Sequence, residues 1–333
     1  MRPISYTRAN DAAEAVAAFS DAGKGARYIA GGTTLFDLMK LNVELPTHLV
    51  DVSGLTGSDR IDISGEALVF GAGARMADIA EDPMIREEYP VLAESLWKAA
   101  SQQLRNMASV GGNLLQRTRC PYFRGGAGGV YPCNKREPGS GCSAIGGLDR
   151  GQAVLGTSDS CNAVSPGDWP VALTALDASV RVLGHDGERT IPVADLYLLP
   201  GETPDREFAL RPGELILDIL VSKTRLGRAS TYHKVRDRES YAFALASAAV
   251  ALQLDGDRVT DIRIALGGVA TRPWRATEAE RILTGAAPDR KIALEAGRAA
   301  MAEATPGQRN AFKIDLAVQT IADAVAIAVE RSA

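Results

Sequence analysis

Residues 27–40 read RYIAGGTTLFDLMK, and this stretch sets the expected architecture of the N-terminal part of the chain. The run RYIA at 27–30 favours a strand, since it is short, largely apolar and followed by a glycine pair. Leu35, Leu38 and Met39 then recur at helical spacing. The stretch therefore predicts a strand, a turn and a helix in direct succession.

The turn between these two elements has features of an anion-binding segment. Gly31 and Gly32 carry no side chains, and Thr34 with Asp37 resembles a capping box at the helix start. Backbone N–H groups at the start of a helix point outward and receive phosphate groups well. A plain tight turn fits the same letters, and the pattern is neither a G-x-G-x-x-G fingerprint nor a Walker P-loop.

A second glycine segment, SVGGNLL at 109–115, follows what the apolar spacing predicts to be one long helix over about 91–106. We expect a loop here, in which Ser109 supplies a hydroxyl and Asn113 an amide. Two such segments fit one ligand with two phosphates held from two sides. Ordinary turn chemistry is the alternative.

Composition narrows the class of protein. With 333 residues, 46% hydrophobic and 23% charged, the chain predicts two or three globular domains. The net charge of -4 argues against a nucleic-acid partner. No apolar run is long enough to span a membrane, and we expect no export signal in the chain itself. The only histidines, His48, His185 and His233, make a multi-histidine metal site improbable, so a bound group is expected to carry any chemistry.

All four cysteines, Cys120, Cys133, Cys142 and Cys161, fall within one stretch of the chain. Four clustered thiolates can ligate a structural zinc or an iron-sulfur cluster. The spacing C-x12-C-x8-C-x18-C lacks the C-x-x-C pairs of zinc ribbons, which favours an iron-sulfur cluster. Disulfides and inert buried thiols are weaker alternatives.

The surrounding stretch 119–147 is rich in glycine and proline and has no helical or strand period, which predicts a long functional loop. Its glycines would let backbone N–H groups approach cluster sulfurs. Arg119, Lys135 and Arg136 could offset the negative charge of a cluster, or could form a solvated surface.

The rest of the chain predicts further strands and helices. Residues 1–60 alternate helix and strand, with a helix from about Asn10 and a strand at 48–52. Within SPGDWPVALTALDA at 165–178, Asp168 is placed to cap a helix. Strands are expected at 179–183, 215–221, 230–236, 245–254 and 259–266, and the last helix carries an apolar stripe from Ile314 to Ala328. A domain boundary is expected near 222–230, followed by an α+β domain with an antiparallel sheet.

Four segments carry a family resemblance: AGGTTL at 30–35, SVGGNL at 109–114, SPGDW at 165–169 and KVRDRESYAFALAS at 234–247. They resemble the FAD-binding subunits of the xanthine dehydrogenase and aldehyde oxidase family of molybdenum hydroxylases. The cysteine region, with NLLQRTRCPYF, PCNKREPGSGC and Cys161, is similar to the iron-sulfur flavoprotein subunits of bacterial periplasmic aldehyde oxidoreductases. The similarity runs essentially from end to end.

The resemblance implies an α+β protein with a PCMH-type (vanillyl-alcohol-oxidase-like) FAD-binding fold over residues 1–224, in subdomains of about 1–60 and 61–224. A domain like the C-terminal part of carbon monoxide dehydrogenase flavoproteins would cover 225–333. The 4Fe-4S loop would span 119–161, with Cys120, Cys133, Cys142 and Cys161 as ligands.

The resemblance also implies which residues bind FAD. Asp168 would contact ribityl or ribose hydroxyls, and Lys234 would approach the isoalloxazine. The remaining cofactor-binding residues would come from the two glycine segments: Ile29, Ala30, Gly31, Gly32, Thr33, Thr34 and Leu35, and Ser109, Gly111, Gly112, Asn113, Leu114 and Arg117. No catalytic residue is expected, because substrate would react on another subunit.

The implied partners are a large molybdopterin-binding subunit, a small 2Fe-2S subunit and an external electron acceptor, without nucleic acid or membrane insertion. Location in the periplasm would follow from export with a signal-bearing partner; the cytoplasm is the alternative. Two rival functions stay open: the flavoprotein subunit of another molybdenum hydroxylase, of xanthine dehydrogenase or hydroxybenzoyl-CoA reductase type, and a non-catalytic zinc-binding assembly subunit.

Overall fold

The computed structural model describes residues 3–126 and 129–332. Ala127 and Gly128 of the predicted cluster loop, and the residues at the two chain ends, lie outside the described residues.

The N-terminal unit alternates strands and helices around a three-stranded parallel sheet of order β1-β3-β2. The helix predicted from about Asn10 is confirmed: it starts after Asp11, whose carboxylate accepts the N–H of Glu14, and it buries Ala15 and Val16. The elements are β1 (Ser5–Arg8), α1 (Ala12–Ala22), β2 (Ala26–Ile29), α2 (Leu35–Lys40) and β3 (His48–Asp51).

The second unit is built on a five-stranded antiparallel sheet of order β4-β5-β8-β6-β7. Its strands are β4 (Ile61–Asp62), β5 (Ala67–Gly71), β6 (Ser179–Gly184), β7 (Gly187–Pro192) and β8 (Leu215–Ser222). Its helices are α3 (Met76–Glu81), α4 (Pro83–Glu88), α5 (Pro90–Trp97), α6 (Gln102–Arg105), α7 (Val110–Leu114), α8 (Trp169–Ala175) and α9 (Val193–Leu196). The cysteine-bearing segment connects α7 to α8, and a short 3₁₀ turn at Phe123–Gly125 is its helical element in the described residues.

The C-terminal unit has a four-stranded antiparallel sheet of order β12-β11-β10-β9. One face packs against the last helix through Ile321 and Val325. On the other face, Tyr232 and Ala249 share a core with the helices of the second unit. The elements are β9 (Ser230–Val235), β10 (Ala246–Asp255), β11 (Arg258–Gly267), β12 (Trp274–Arg275), α10 (Thr277–Leu283), α11 (Arg290–Ala300) and α12 (Phe312–Glu330).

Two predicted elements near the second glycine segment are wrong. The single helix expected over 91–106 is broken into α5 and α6, because Ala100 adopts the left-handed conformation with φ of 49°. The loop expected at 109–115 contains the short helix α7, which Ser109 caps by accepting the N–H of Gly112.

Two predicted helix caps are also wrong. Thr34 makes no capping bond to α2, because its backbone is already helical rather than extended, and Asp37 pairs with Arg119 and Arg124 from the cysteine-bearing segment. Asp168 makes no capping bond to α8, because its carboxylate is taken by residues of the C-terminal sheet.

Among the described residues, the longest and most apolar helices fall short of what a membrane crossing requires.

Candidate functional site

The structure packs the first glycine segment against the backbone that leads into the second. A Cβ atom on Gly31 would lie 1.8 Å from the carbonyl oxygen of Met107 and 3.2 Å from Cα of Ala108. Any side chain larger than the hydrogen atom of glycine would clash at this distance. The loop after β2 therefore passes against the backbone just before Ser109, and only glycine permits this approach.

The first segment presents unused backbone donors. Between Gly31 and Thr34, no backbone N–H donates to another residue in the part of the chain that the structure describes. An unpaired backbone N–H is costly unless water or a ligand accepts from it. This segment can therefore donate several hydrogen bonds to an anionic ligand.

In the second segment, more of the backbone N–H groups donate to acceptors within the protein. The N–H of Gly111 donates to the carbonyl of Ala72 at 2.9 Å, and that of Gly112 donates to Oγ of Ser109 at 3.3 Å. Oδ1 of Asn113 is buried and has no partner within the described residues. The hydroxyl of Ser109 and the backbone of Gly111 and Gly112 are thus what this segment presents to the cleft.

Between the segments lies a cleft of about 900 Å³. It is large enough for a dinucleotide-sized ligand. The predicted residues that line it are Ile29, Ala30, Gly31, Gly32, Thr33, Thr34, Leu35, Ser109, Gly111, Gly112 and Arg117. Asn113, Leu114, Asp168 and Lys234 do not belong to this lining, so their contact with a cofactor stays a prediction.

Residues that the sequence did not single out form the opposite wall of the cleft. They come from the turns and strands of the five-stranded sheet: Ser58, Arg60, Ala72, Gly73, Arg181 and Asp218. These positions carry no local motif, because sheet pairing brings them together. Arg60 and Arg181 both pair with Asp218, and Arg181 also pairs with Glu188, so both arginines of this wall are engaged by protein carboxylates.

A buried ion-pair network closes one end of the cleft. Arg117 donates to Glu44 at 2.6 Å and to Glu207, and Lys135 Nζ lies 3.0 Å from Glu207. Burial opposes the charge of Arg117, but the two carboxylates outweigh it and raise the pKa of the guanidinium. Arg117 is therefore engaged by protein carboxylates, which limits what it can offer a ligand.

The four cysteines surround one small cavity next to the cleft. Cys133 and Cys142 face each other in an antiparallel bridge, and all four are free thiols, so the disulfide alternative is wrong. A hydrogen bond from the Cys161 thiol lowers the pKa of Cys142 to about 6, and burial raises the pKa of Cys120. Among the described residues, no three His, Cys, Asp or Glu side chains converge as they would on a single metal ion.

Two side chains belong to both sites. Phe123 and Lys135 line the cleft and the cysteine cavity alike. Arg136, the next residue, also lines the cleft, where its guanidinium donates to the carbonyls of Tyr122, Phe123 and Tyr131. One layer of side chains therefore separates the two sites.

Asp168 and Lys234 form a buried ion pair between the second unit and the C-terminal sheet. Lys234 Nζ lies 2.8 Å from Asp168 Oδ2, with side-chain exposures of 1% and 6%. The hydroxyl of Tyr232 donates to the other carboxylate oxygen at 2.6 Å. Burial, and then the negative charge of Asp168, raise the pKa of Tyr232 well above its usual value. The pair joins α8 to β9.

Comparison with known proteins identifies the family. Residues 2–223 match the FAD binding domain in molybdopterin dehydrogenase, and residues 230–327 match the CO dehydrogenase flavoprotein C-terminal domain. The chain belongs to the FAD-binding subunits of molybdopterin dehydrogenases. The predicted FAD-binding fold and the α+β class are thereby confirmed, and this flavoprotein subunit is a component of an oxidoreductase.

The chain is similar to an FAD-binding subunit and to chains of carbon monoxide dehydrogenases. The aldehyde oxidoreductase FAD-binding subunit PaoB of Escherichia coli (strain K12) is 46% identical over 328 residues, which is 98% of both chains. The carbon monoxide dehydrogenase medium chain of Afipia carboxidovorans is 27% identical, over 86% of this chain and 82% of its own length. The solved carbon monoxide dehydrogenase of Hydrogenophaga pseudoflava matches with a TM-score of 0.78 and 26% identity, over 100% of this chain and 99% of that one.

The cleft of the flavoprotein subunit fits FAD. The free N–H groups between Gly31 and Thr34 suit the pyrophosphate, and Arg136 adds a positive charge that is held by carbonyls. When bound, FAD supplies a group that accepts electrons singly or in pairs. The protein itself contributes the glycine approach, the amide donors and the ion-pair network.

Proposed function

We propose that this flavoprotein subunit relays electrons in a molybdenum-dependent aldehyde oxidoreductase, through FAD in the cleft to an external acceptor. We also propose that Cys120, Cys133, Cys142 and Cys161 ligate a 4Fe-4S cluster. The 46% identity to a subunit of an aldehyde oxidoreductase supports aldehydes as the substrate class, and it favours this function over the two rivals.

The observation that carries the proposal is the shared wall of the two sites. Phe123 and Lys135 line both the cleft and the cysteine cavity. Two redox groups that occupied these sites would be separated by a single layer of side chains. That closeness suits a protein that passes electrons rather than one that transforms substrate.

The donor set suits an iron-sulfur cluster better than a single ion. Each cysteine of a 4Fe-4S site ligates a different iron, so the thiols need to surround a volume rather than converge on a point. Four thiols around one cavity meet that requirement.

The proposed partners are a large molybdopterin-binding subunit, where the aldehyde would react, and a small 2Fe-2S subunit. Two relatives are named the medium chain of carbon monoxide dehydrogenase, and a medium chain implies a large and a small one. Periplasmic residence of the complex stays a prediction, which fractionation of cells that express all subunits would test.

The first test is the cofactor content of the complex purified without oxygen. We expect flavin absorption bands above a broad iron-sulfur absorption, with FAD equimolar to this chain and iron and sulfide in the proportions of a 4Fe-4S cluster in addition to the 2Fe-2S groups. Colourless protein that contains zinc would contradict the proposal and favour the assembly-subunit alternative.

Cys142→Ser separates a conducting cluster from a structural one. If the cluster conducts, aldehyde-dependent reduction of FAD slows while the yield of folded protein is kept. If it is structural, the yield falls and FAD reduction in the surviving protein stays fast. Ser143→Ala is the matched control, because it removes a hydrogen bond to Pro132 in the same loop without removing a sulfur.

A further inference from the structure

Gln152 lies beside the cysteine cavity, with 2% of its surface exposed. Its amide Nε2 donates to Cys120 Sγ at 3.4 Å. Gln152 stands far along the chain from Cys120, so the contact is made by the fold and not by the local loop. A side-chain amide is thereby directed at one of the four sulfurs.

The other half of this amide is left unpaired. Oε1 of Gln152 is buried and has no hydrogen-bond partner among the described residues. A buried acceptor without a partner is unfavourable, and a native structure that contains one calls for an explanation. In the orientation that the structure shows, Nε2 and not Oε1 faces Cys120 Sγ, so the amide presents its donor side to the sulfur.

The C-terminal domain holds Gln152 in place. Asn310 is fully buried, and its Nδ2 donates to the carbonyls of Gln152 at 3.4 Å and Ala153 at 3.2 Å. Lys313 Nζ donates to the carbonyl of Gly151 at 3.2 Å. These bonds fix the backbone of Gln152 from Asn310, in the turn that precedes α12, and from Lys313, in the first turn of that helix.

Asp149 anchors the same segment to the same turn. Its carboxylate accepts the N–H groups of Gln308 at 2.7 Å and Arg309 at 3.0 Å. A Cβ atom on Gly307 would lie 2.0 Å from this carboxylate, so the turn needs glycine there. The anchoring segment 149–153 is thus clamped from outside the FAD-binding domain.

We propose that Gln152 is a positioning residue that sets the reduction potential of the cluster, and that the C-terminal segment 307–313 holds it there. This inference rests on the proposed 4Fe-4S cluster. A hydrogen bond to a ligating sulfur withdraws negative charge, which stabilises the reduced cluster and raises its potential. The C-terminal domain then has a role in the redox site as well as in packing.

The test is a redox titration of the purified complex, in which electron paramagnetic resonance reports the fraction of reduced 4Fe-4S cluster. Gln152→Leu keeps the volume and removes the donor, and we expect its midpoint potential to fall. A tenfold change in the ratio of oxidised to reduced cluster at a fixed potential corresponds to 59 mV for this one-electron couple, and we expect a shift of about that size. The FAD content is expected to stay constant, because Gln152 does not line the cleft.

Thr118→Val is the matched control. Thr118 is also buried and supports Cys120, since its Oγ1 accepts the Cys120 N–H at 3.3 Å, but it makes no hydrogen bond to a sulfur. A purely structural role would give both variants the same behaviour: less cluster, with an unchanged potential. Asn310→Ala keeps the side-chain amide of Gln152 but removes hydrogen bonds that hold the backbone of Gln152 in place. We expect it to shift the potential in the same direction by a smaller amount.

An unchanged potential in Gln152→Leu overturns the inference. If Gln152→Leu retains no iron, Gln152→Met replaces it, since methionine is of similar length, is uncharged and cannot donate a hydrogen bond. Iron loss in both, with an unchanged potential in Asn310→Ala, also overturns the inference. Wild-type complex without a 4Fe-4S signal would instead refute the proposed function, so the two failures are distinguishable.

Discussion

Lys135 Nζ lies 3.0 Å from Glu207 Oε1 and 2.8 Å from the carbonyl oxygen of Pro204, and the lysine side chain borders both the cleft and the cysteine cavity. Glu207 binds Arg117 with its other oxygen. One carboxylate from the loop before β8 thus holds two cations at the boundary between the sites. The lysine follows Cys133 by two positions, so this pair also fixes the cysteine loop against the cleft.

Glu207→Gln is expected to destabilise the protein more than Lys135→Met. Removal of the carboxylate leaves two buried cations short of a partner, and breaking such a pair costs about 3 kcal/mol. Lys135→Met leaves Glu207 paired with Arg117, and methionine fills the same space, so we expect a loss of about 1 kcal/mol. Thermal unfolding of the purified variants measures both values. The reverse order would show that Glu207 is not the centre of the network.

Gly31→Ala is expected to abolish stoichiometric FAD binding. The added methyl group would meet the carbonyl oxygen of Met107 at 1.8 Å, and since both atoms are fixed by backbone, the two segments must separate. Gly65→Ala is the control, because the nearest atom to its Cβ lies 4.0 Å away. Flavin content per chain, measured after denaturation, reports the result. A Gly31→Ala protein with full flavin content would mean that the cleft does not depend on this contact.

The Asp168 and Lys234 pair predicts that two single substitutions destabilise the protein more than both substitutions together. Either single neutralising substitution, Asp168→Asn or Lys234→Met, leaves a buried charge without its partner and is expected to cost about 3 kcal/mol. The double variant removes both charges and is expected to recover most of this loss. Unfolding curves of the wild type, the two single variants and the double variant give the free energies of unfolding for this double-mutant cycle. Additive losses would be incompatible with a direct pair, and flavin loss at constant stability would favour the predicted cofactor contacts instead.

Lys313 predicts a dependence of stability on pH. Burial lowers its pKa from 10.5 to about 8, although Nζ donates to the carbonyls of Gly151 and Gly268. The folded state therefore releases its proton at lower pH than the unfolded state, and stability rises between about pH 8 and pH 10.5. The lowered pKa corresponds to a gain of about 3 kcal/mol in the free energy of unfolding across the whole interval.

The measurement compares wild type with Lys313→Met. The difference in free energy of unfolding is expected to shift in favour of wild type as pH rises through this interval. Lys291→Met, which removes an exposed lysine from α11, is the control and is expected to give a difference independent of pH. A constant difference for Lys313→Met would contradict a buried lysine with a lowered pKa.

Periodicity located most elements, because apolar faces had to be buried and their spacing follows the geometry of helix or strand. The C-terminal strands and α12 illustrate this: β10 alternates against β11 with Val250 opposite Ile264, and Ile321 and Val325 of α12 lie in the core. The errors came where a long-range contact replaced a local one. Asp37 resembles a capping residue, yet two arginines from the cysteine segment bind it in place of the helix N–H groups.

The sequence by itself determined the FAD-binding family, the two glycine segments and the four cysteines, since each depends on residue type and spacing along the chain. Only the tertiary structure decided that Gly31 touches Met107, that Phe123 and Lys135 stand between the cleft and the cysteines, and that Gln152 faces Cys120. The physical reason is the separation along the chain over which each interaction acts. Backbone conformation and capping act over a few residues, whereas sheet pairing and buried hydrogen bonds join positions far apart in the chain, and no local pattern records them.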